Sequence, residues 1–312
     1  MNKSLLDYLE SKKCFKLVLG ANNSDYEEIY KLAMVYSSIG CRFFDIEAST
    51  DALNSLIKGI EHSKIKRQDI FICISVGVNQ DPHLTKYKID PKKCKNCLKC
   101  KDLCLQDAIY FDKTTKINEK NCIGCSKCYN ETKCPALISY QKTRDWKEFL
   151  PSLFDKVDCI EFHIITDDIE EIDKKWDYLC SNYNGLLSIC CDRSYFGDKK
   201  IIGQLKKMIK KAERKVIIQA DGAPMSGGCD DYKTTLQTIA FVDLINKSDI
   251  ENAFVIMSGG TNSKTMELAR LLDVKNNGAA FGSYARKIVK QYLNSSNYQK
   301  AKITALELFK TV

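Results

Sequence analysis

The sequence predicts an α/β fold, and within that class a (β/α)8 barrel of the TIM type with a small cysteine-rich segment inserted in it. Three observations lead to this prediction. Short apolar runs alternate with helical stretches over most of the 312 residues. Eight such runs occur, which is the number of strands in this barrel. Half of the sixteen cysteines are gathered between positions 94 and 134, where the alternation is interrupted.

The eight predicted strands are short runs rich in apolar and β-branched residues. This composition is expected of parallel strands that are buried on both faces. The strands are predicted at residues 15–19, 42–46, 70–75, 159–165, 186–191, 216–220, 253–257 and 278–281.

Helices are predicted between these strands wherever a capping residue precedes an amphipathic stretch. A further helix, at residues 284–294, follows the last strand. The helices with a start signal are 26–39 after Ser24 and Asp25, 52–61 after Thr50 and Asp51, and 263–272 after Asn262.

The cysteine-rich segment follows the third predicted strand and divides the barrel sequence in two. We predict a discontinuous barrel domain, residues 1–78 and 142–312, and a ferredoxin-like domain, residues 79–141. Insertion after a strand places the segment on the C-terminal face of the barrel, where the active sites of such barrels form. An open doubly wound α/β sheet with the same insertion is the alternative, because strand order cannot be read from alternation.

Two successive C-x2-C-x2-C triplets, each followed by a fourth cysteine, predict a pair of iron–sulfur clusters. A cubane cluster has four iron corners, and a short looping segment presents three thiolates to three of them. In two-cluster ferredoxins the trailing cysteine binds the other cluster. Loss of one iron under oxygen converts a 4Fe-4S cluster to a 3Fe-4S species. The predicted ligands are Cys94, Cys97, Cys100 and Cys134 for one 4Fe-4S cluster (cluster 1) and Cys122, Cys125, Cys128 and Cys104 for the other (cluster 2).

Two other interpretations of these cysteines remain open. Structural zinc sites also use C-x2-C spacing, but zinc knuckles rarely add a third cysteine, and Pro135 follows Cys134 as in ferredoxins. Disulfides require an oxidising compartment, to which nothing in the sequence points. Leu105 follows Cys104 where ferredoxin repeats usually carry proline. Five residues separate Cys128 from Cys134, so a longer loop is expected there.

Composition and charge limit which partners and which cellular compartment are expected. The hydrophobic content of 44% suffices for a large core, and the formal net charge is +8. The lysines are spread through predicted helices without a nucleic-acid-binding motif, so nucleic acid is not an expected partner. No apolar run approaches the roughly 18 residues of a membrane span, and the first residues lack the apolar core of a secretory signal. We therefore expect a cytoplasmic protein, in which clustered cysteines bind metal.

Glycine-rich loops follow the last three predicted strands. The first, residues 225–228, precedes Cys229, a candidate for an exposed reactive thiol. The loops after strands seven and eight are the usual phosphate site of barrels, because glycines let backbone N–H groups approach an anion. The alternative is that these glycines only permit tight strand-to-helix turns. The candidates to bind the phosphate of a flavin or nucleotide are Gly259, Gly260, Gly282 and Ser283.

Polar side chains also lie at the predicted C-terminal ends of strands. Such groups can act as acid or base, although satisfied loop-end hydrogen bonds are the commoner explanation. The chain has only three histidines, so a histidine-rich metal or catalytic site is excluded. Cys73 and Cys190 lie inside predicted strands and are interpreted as small core residues. The strand-end polar residues are Asp45, Glu47, Ser75, His163, Asp192 and Asp221.

Four phrases together resemble one known family, and the match reaches nearly the whole chain. They are residues 44–48 (FDIEA); 75–77 (SVG) with 81–83 (DPH); the double cysteine segment; and 219–227 (QADGAPMSG) with 259–262 (GGTN) and 282–286 (GSYAR). The cysteine segment alone occurs in many unrelated proteins, whereas the phrase that begins at Asp221 is far more selective. The sequence resembles the light-dependent-period iron–sulfur protein family (LdpA) of cyanobacteria.

The resemblance implies redox sensing that feeds the circadian clock, with redox donors or clock-associated kinases as protein partners. Ala223 stands where a basic residue is expected in the family, so an anion contact there is not carried over. We therefore expect an iron–sulfur redox sensor or electron carrier rather than an enzyme, and assign no catalytic residue. The alternative is a barrel oxidoreductase in which the phosphate loops hold a flavin and the clusters relay electrons to it.

Overall fold

The structure, a computed structural model, describes residues 4–20, 22–79, 81–104, 106–141, 145–223 and 230–312, except for the side chain of His83. Its strands are β1 (Cys14–Val18), β2 (Phe43–Glu47), β3 (Phe71–Gly77), β4 (Thr85–Ile89), β5 (Ile109–Asp112), β6 (Thr114–Ile117), β7 (Leu137–Gln141), β8 (Cys159–His163), β9 (Leu186–Cys191), β10 (Val216–Asp221), β11 (Ala253–Ser258) and β12 (Gly278–Phe281). Its α-helices are α1 (Leu5–Glu10), α2 (Tyr26–Ser38), α3 (Thr50–His62), α4 (Lys99–Asp102), α5 (Lys127–Thr132), α6 (Trp146–Phe149), α7 (Ile169–Asn182), α8 (Asp198–Ala212), α9 (Tyr232–Asn246), α10 (Thr265–Leu271), α11 (Ser283–Asn294) and α12 (Tyr298–Phe309).

Eight of the strands close into a barrel, in the order β1-β12-β11-β10-β9-β8-β3-β2. All eight neighbouring pairs are parallel. They are the eight strands predicted from the sequence, with ends that agree within two residues. The predicted barrel is therefore confirmed, and the alternative of an open doubly wound sheet is wrong.

The interior of the barrel changes from apolar to polar along its axis. Side chains at alternate positions of the strands point inward. At the N-terminal end these are apolar, as at Phe43 and Phe71, and α1 closes this end with Leu5 and Leu9. Two residues further along β2, the inward position holds the buried carboxylate Asp45. The barrel therefore has an apolar bottom, and its polar side chains lie towards the C-terminal ends of the strands.

The helices form an outer layer and bury a second, larger apolar core against the barrel. Outward strand residues such as Leu17 and Ile218 belong to this core. Asp25 caps α2, as its position in the sequence predicts. The helix predicted at 263–272 begins two residues later, because the Asn262 side chain first accepts a hydrogen bond from the backbone N–H of Lys264. Within the described ranges, no helix is long and apolar enough to cross a bilayer.

The chain between β3 and β8 carries two small antiparallel sheets. β4 pairs with β7, and β5 pairs with β6. A separate apolar cluster accompanies them, built on Tyr87, Cys100, Ile109 and Leu137. These elements follow directly after β3, where the sequence places an insertion. The boundaries at 78/79 and 141/142, and the ferredoxin-like character of the segment, stay predictions.

Replacing glycine by alanine should change the free energy of unfolding in opposite directions at two helical positions. In Gly59→Ala on α3, the new Cβ would lie 2.4 Å from the Tyr30 carbonyl oxygen on α2. The helices must then move apart, at a cost of about 1–3 kcal/mol. Gly203 on α8 has open space around it, so Gly203→Ala should stabilise the fold by up to about 1 kcal/mol through helix propensity. Urea unfolding measures both, and equal effects would contradict the close packing of α3 on α2.

Candidate functional site

A layer of charged and polar side chains lies inside the barrel, above its apolar bottom. Lys16 of β1 is fully buried. Its Nζ donates to Glu161 Oε2 at 2.5 Å and to Gln219 Oε1 at 2.8 Å, and lies 2.9 Å from Asp45 Oδ2. The three N–H groups of the ammonium thus face three acceptors. We call Lys16, Asp45, Glu161 and Gln219 the polar layer.

The charges of the polar layer shift one another's pKa values. Burial alone would lower the pKa of Lys16, but Asp45 and Glu161 raise it well above its ordinary value. Burial likewise opposes ionisation of Glu161, but Lys16 and then His163 bring its pKa below the ordinary range. Burial raises the pKa of Asp45 to about 6, against the opposing effect of Lys16. Lys16 and Glu161 are therefore the firmly ionised pair.

His163 lies at the end of β8, next to the polar layer, and is buried. Its Nδ1 lies 3.0 Å from Asp81 Oδ2, and its Nε2 lies 3.3 Å from Glu161 Oε1. Burial alone would lower the pKa of His163, but Asp81 and then Glu161 raise it to about 10. Asp81 packs directly on Gly77, where a Cβ would lie 2.1 Å from Asp81 Oδ2. Two carboxylates therefore orient the imidazole ring.

A cavity of about 340 Å³ opens above His163, between the barrel and the segment inserted after β3. The barrel side is lined by His163, Cys190, Gln219 and Asp221, and the inserted segment contributes Cys122. The volume is that of a small-molecule pocket. Its position at the C-terminal ends of the strands is where the active sites of such barrels form.

The four glycine-loop residues predicted to bind an anion line one wall of this cavity. Gly259 and Gly260 have φ angles of +63° and +87°, which favour glycine. A Cβ on Gly259 would also lie 2.2 Å from Asp221 Oδ1. Gly282 and Ser283 form the N-terminal end of α11, a helix of 12 residues. Turn formation thus accounts for Gly259 and Gly260, while anion binding by the four residues stays a prediction.

Other residues singled out from the sequence lie outside the cavity or outside the described structure. Residues 225–228 and Cys229 lie outside the described residues, as does the side chain of His83. Asp192 accepts a hydrogen bond at 2.8 Å from the backbone N–H two residues further on. This is the loop-end hydrogen bonding that was the alternative to an acid or base role.

The four cysteines predicted to bind cluster 1 are neighbours in the inserted segment. Cys100 is buried, and its pKa is raised by burial first and then by Cys94, Cys134 and Cys97. Cys97 is exposed, whereas Cys94 and Cys134 are partly buried. The trailing Cys134 therefore lies with the first triplet. Binding of iron by this set stays a prediction.

The four cysteines predicted to bind cluster 2 line one small cavity of the inserted segment. They are Cys104, Cys122, Cys125 and Cys128. Burial raises the pKa of Cys128 to about 12, and the neighbouring Cys125, Cys122 and Cys104 add to this effect. The metal ligand is the thiolate, so binding of a cluster here must displace the thiol protons.

Sequence reasoning does not identify several residues of the barrel site. Lys16, Glu161 and Gln219 are not singled out, and Cys190 is interpreted only as a core residue. Lys16 and Glu161 interrupt apolar strands at inward-pointing positions. A lone charged residue at such a position is the signal by which they could be found, because a buried charge needs a partner.

Comparison with known proteins identifies a family. The sequence profile of the light dependent period A C-terminal domain matches residues 153–311, which is just over half of the chain. The chain is also 27% identical, over 278 residues, to a protein named Light dependent period A from Synechococcus elongatus. That match covers 86% of this chain and 76% of the relative.

Comparison with solved structures supports the fold. A structure of Mycobacterium tuberculosis tryptophan synthase is similar with a TM-score of 0.51 and 10% identity, covering 99% of this chain and 98% of that one. The tryptophan synthase α-subunit of Pyrococcus furiosus gives a TM-score of 0.50 and 11% identity, covering 96% and 98% of the two chains. At such identities the likeness shows the fold alone.

The buried ammonium of the polar layer yields a stability prediction. Lys16→Met should lower the free energy of unfolding by about 3–5 kcal/mol, because it removes the buried ammonium that faces both Asp45 and Glu161. The control is Lys211→Met, which removes an exposed ion pair with Asp177, 3.3 Å long, and should cost under about 1 kcal/mol. Chemical unfolding at neutral pH measures both. Similar small losses in the two variants would contradict the role assigned to Lys16.

Proposed function

The chain belongs to the light dependent period A family, and we propose that it is an iron–sulfur redox sensor or electron carrier. The observation that carries this proposal is the grouping of eight cysteines into two sets of four in the inserted segment. Sets of four thiols are the donor sets of 4Fe-4S clusters. When bound, these clusters supply one-electron redox chemistry.

The surroundings of the eight thiols fit clusters. The apolar cluster of Tyr87, Ile109 and Leu137 packs against members of both sets, and such a shell limits access of water to a metal. Gly124 lies between two predicted cluster 2 ligands and has a φ of +71°. A Cβ there would lie 1.9 Å from the Thr85 carbonyl oxygen. The ligand loop therefore packs tightly against β4, which fixes the directions of its cysteines.

The surface around cluster 1 favours an acidic protein partner. Cys97 is exposed, so a cluster bound by this set would lie near solvent, where electrons can enter or leave. Nearby lysines offset the negative charge of a thiolate-ligated cluster and raise its reduction potential. They also attract an acidic surface. Given the family, this partner is a redox donor or a clock-associated kinase, in the cytoplasm. The exposed lysines are Lys92, Lys93, Lys95, Lys99 and Lys101.

The cavity favours a second candidate function, that of a barrel oxidoreductase. Cys122, a predicted cluster 2 ligand, lines the same cavity as His163 and Asp221. A molecule bound there would lie within short reach of cluster 2. A flavin or a nucleotide, with its phosphate on Gly259, Gly260, Gly282 and Ser283, would make the chain an enzyme.

Metal and sulfide content test the sensor proposal. Anaerobically purified protein should contain about eight iron and about eight acid-labile sulfide atoms per chain. Cys100→Ala and Cys134→Ala should each lose about four irons and retain the same EPR signal, because both remove a ligand of cluster 1. Cys104→Ala should lose cluster 2 and retain a different signal.

The control for these variants is Cys180→Ala on α7, outside the inserted segment, which should keep the full iron content. Zinc, or iron without acid-labile sulfide, in the wild-type protein would contradict the clusters. The same residual spectrum in Cys104→Ala and Cys100→Ala would contradict the crossed ligand sets.

Release of a chromophore separates the two candidate functions. The enzyme predicts about one flavin per chain in the supernatant after acid denaturation of the purified protein. The sensor predicts cluster absorbance that bleaches on denaturation and leaves no flavin fluorescence. Flavin in stoichiometric amount would replace the first proposal by the second.

A further inference from the structure

The geometry points to a binding site for a divalent transition-metal ion at the floor of the cavity, ligated by Glu161 Oε1, His163 Nε2 and Cys190 Sγ. The ligand atoms of these three buried residues all lie within 4.8 Å of one another. One carboxylate, one imidazole and one thiolate form a ligand set that suits Zn²⁺. The site is separate from the cysteines of the inserted segment.

The distance between two of the ligand atoms suits a shared metal. His163 Nε2 and Glu161 Oε1 are 3.3 Å apart, which is longer than an ordinary N–H···O hydrogen bond. Two atoms that bind the same tetrahedral zinc ion at about 2.0–2.1 Å are separated by about 3.3 Å. These two side chains can therefore hold the ion with little rearrangement.

The residues around the ligands are those that orient metal ligands in proteins. Asp81 Oδ2 lies 3.0 Å from His163 Nδ1, so this N–H can donate a hydrogen bond to the carboxylate, which leaves Nε2 free for a metal. Gln219 Nε2 donates to Glu161 Oε1 at 2.8 Å and lies 3.7 Å from Cys190 Sγ. One carboxylate and one amide therefore fix all three ligands.

The charge balance of the barrel interior favours a cation at this position. Among the described side chains of the floor, Lys16 and His163 are the buried bases, and four carboxylates lie buried with them. Acidic groups thus outnumber basic groups among these side chains, which makes the floor an environment that attracts a cation. Two basic side chains on the cavity wall already face other acids, since Arg286 lies 3.9 Å from Glu28 and Lys290 lies 3.8 Å from Asp107. The four carboxylates are Asp45, Asp81, Glu161 and Asp221.

A second group, Asp45, Cys73 and Glu161, has similar spacing, but the Lys16 ammonium already contacts its two carboxylates. Lys16 Nζ lies 2.9 Å from Asp45 and 2.5 Å from Glu161 and so occupies the position that a metal ion would take. The group formed with His163 and Cys190 differs because it borders the cavity. A water or an oxygen of a bound molecule can thus complete the coordination, as in zinc sites that keep one position open.

Zinc binding to the full-length protein, purified anaerobically with its iron content intact, tests the site. After equilibration with Zn²⁺ and desalting, the wild type should retain about one zinc per chain, with one sulfur and two or three nitrogen or oxygen ligands in its X-ray absorption spectrum. Cys190→Ala and His163→Gln should each bind zinc at least tenfold more weakly. Cys191→Ala should bind like the wild type, because this neighbour on β9 packs in the outer core.

Two outcomes would overturn the site: no retained zinc in the wild type, or equal retention by the wild type and Cys190→Ala. Zinc held by the cysteines of the inserted segment would show an all-sulfur environment and would persist in Cys190→Ala. Zinc bound by the inserted cysteines, which would mean that the cluster proposal fails, can therefore be distinguished from zinc bound at this site. If the variants do not fold, wild-type crystals soaked in Zn²⁺ decide, by an anomalous peak between Glu161, His163 and Cys190 or by its absence.

Discussion

One buried ammonium group organises the interior of this barrel. Lys16 Nζ contacts Glu161, Gln219 and Asp45, so that side chains from four strands meet at one cation. Removing these charges from water is costly, and only an arrangement that pairs each N–H with an acceptor offsets that cost. The arrangement also divides the interior, with an apolar bottom on one side and the cavity on the other. The position of Lys16 along β1 therefore sets the level at which a site can form.

Much of the fold could be predicted because its signal is local. Each barrel strand is a mainly apolar run, since parallel strands are buried on both faces, and capping residues such as Asp25 mark helix starts. The number of runs pointed to a barrel, but closure could not be read from them. Closure depends on β1 pairing with β12, which joins Cys14 to Gly278, and a contact so distant in sequence leaves no mark in either strand.

Most contacts between the residues of the cavity floor could not be predicted from the sequence, because these residues are also far apart in the chain. Lys16 is 145 residues from Glu161 and 203 residues from Gln219 in sequence, and only the register of the closed barrel brings them together. His163 was visible because it lies near the end of a predicted strand. Its partner Asp81 comes from the loop after β3, and no strand pattern relates that loop to β8. Cys190 is buried inside its strand, as predicted, and it also lines the cavity, which its position in a strand does not reveal.

The place of insertion ties the cysteine-rich segment to the barrel site. The segment leaves after β3, at the C-terminal end of the barrel, and returns before the adjacent strand β8, and it brings Cys122 to the wall of the cavity. With cluster 2 bound as proposed, a change in its charge would alter the electrostatic potential at His163 and Asp221, because the protein interior has a low dielectric constant. Linkage makes this reciprocal: a molecule or metal ion that binds better to one charge state must shift the reduction potential of cluster 2. The redox state of cluster 2 and the binding of a molecule or metal ion in the cavity are then thermodynamically coupled.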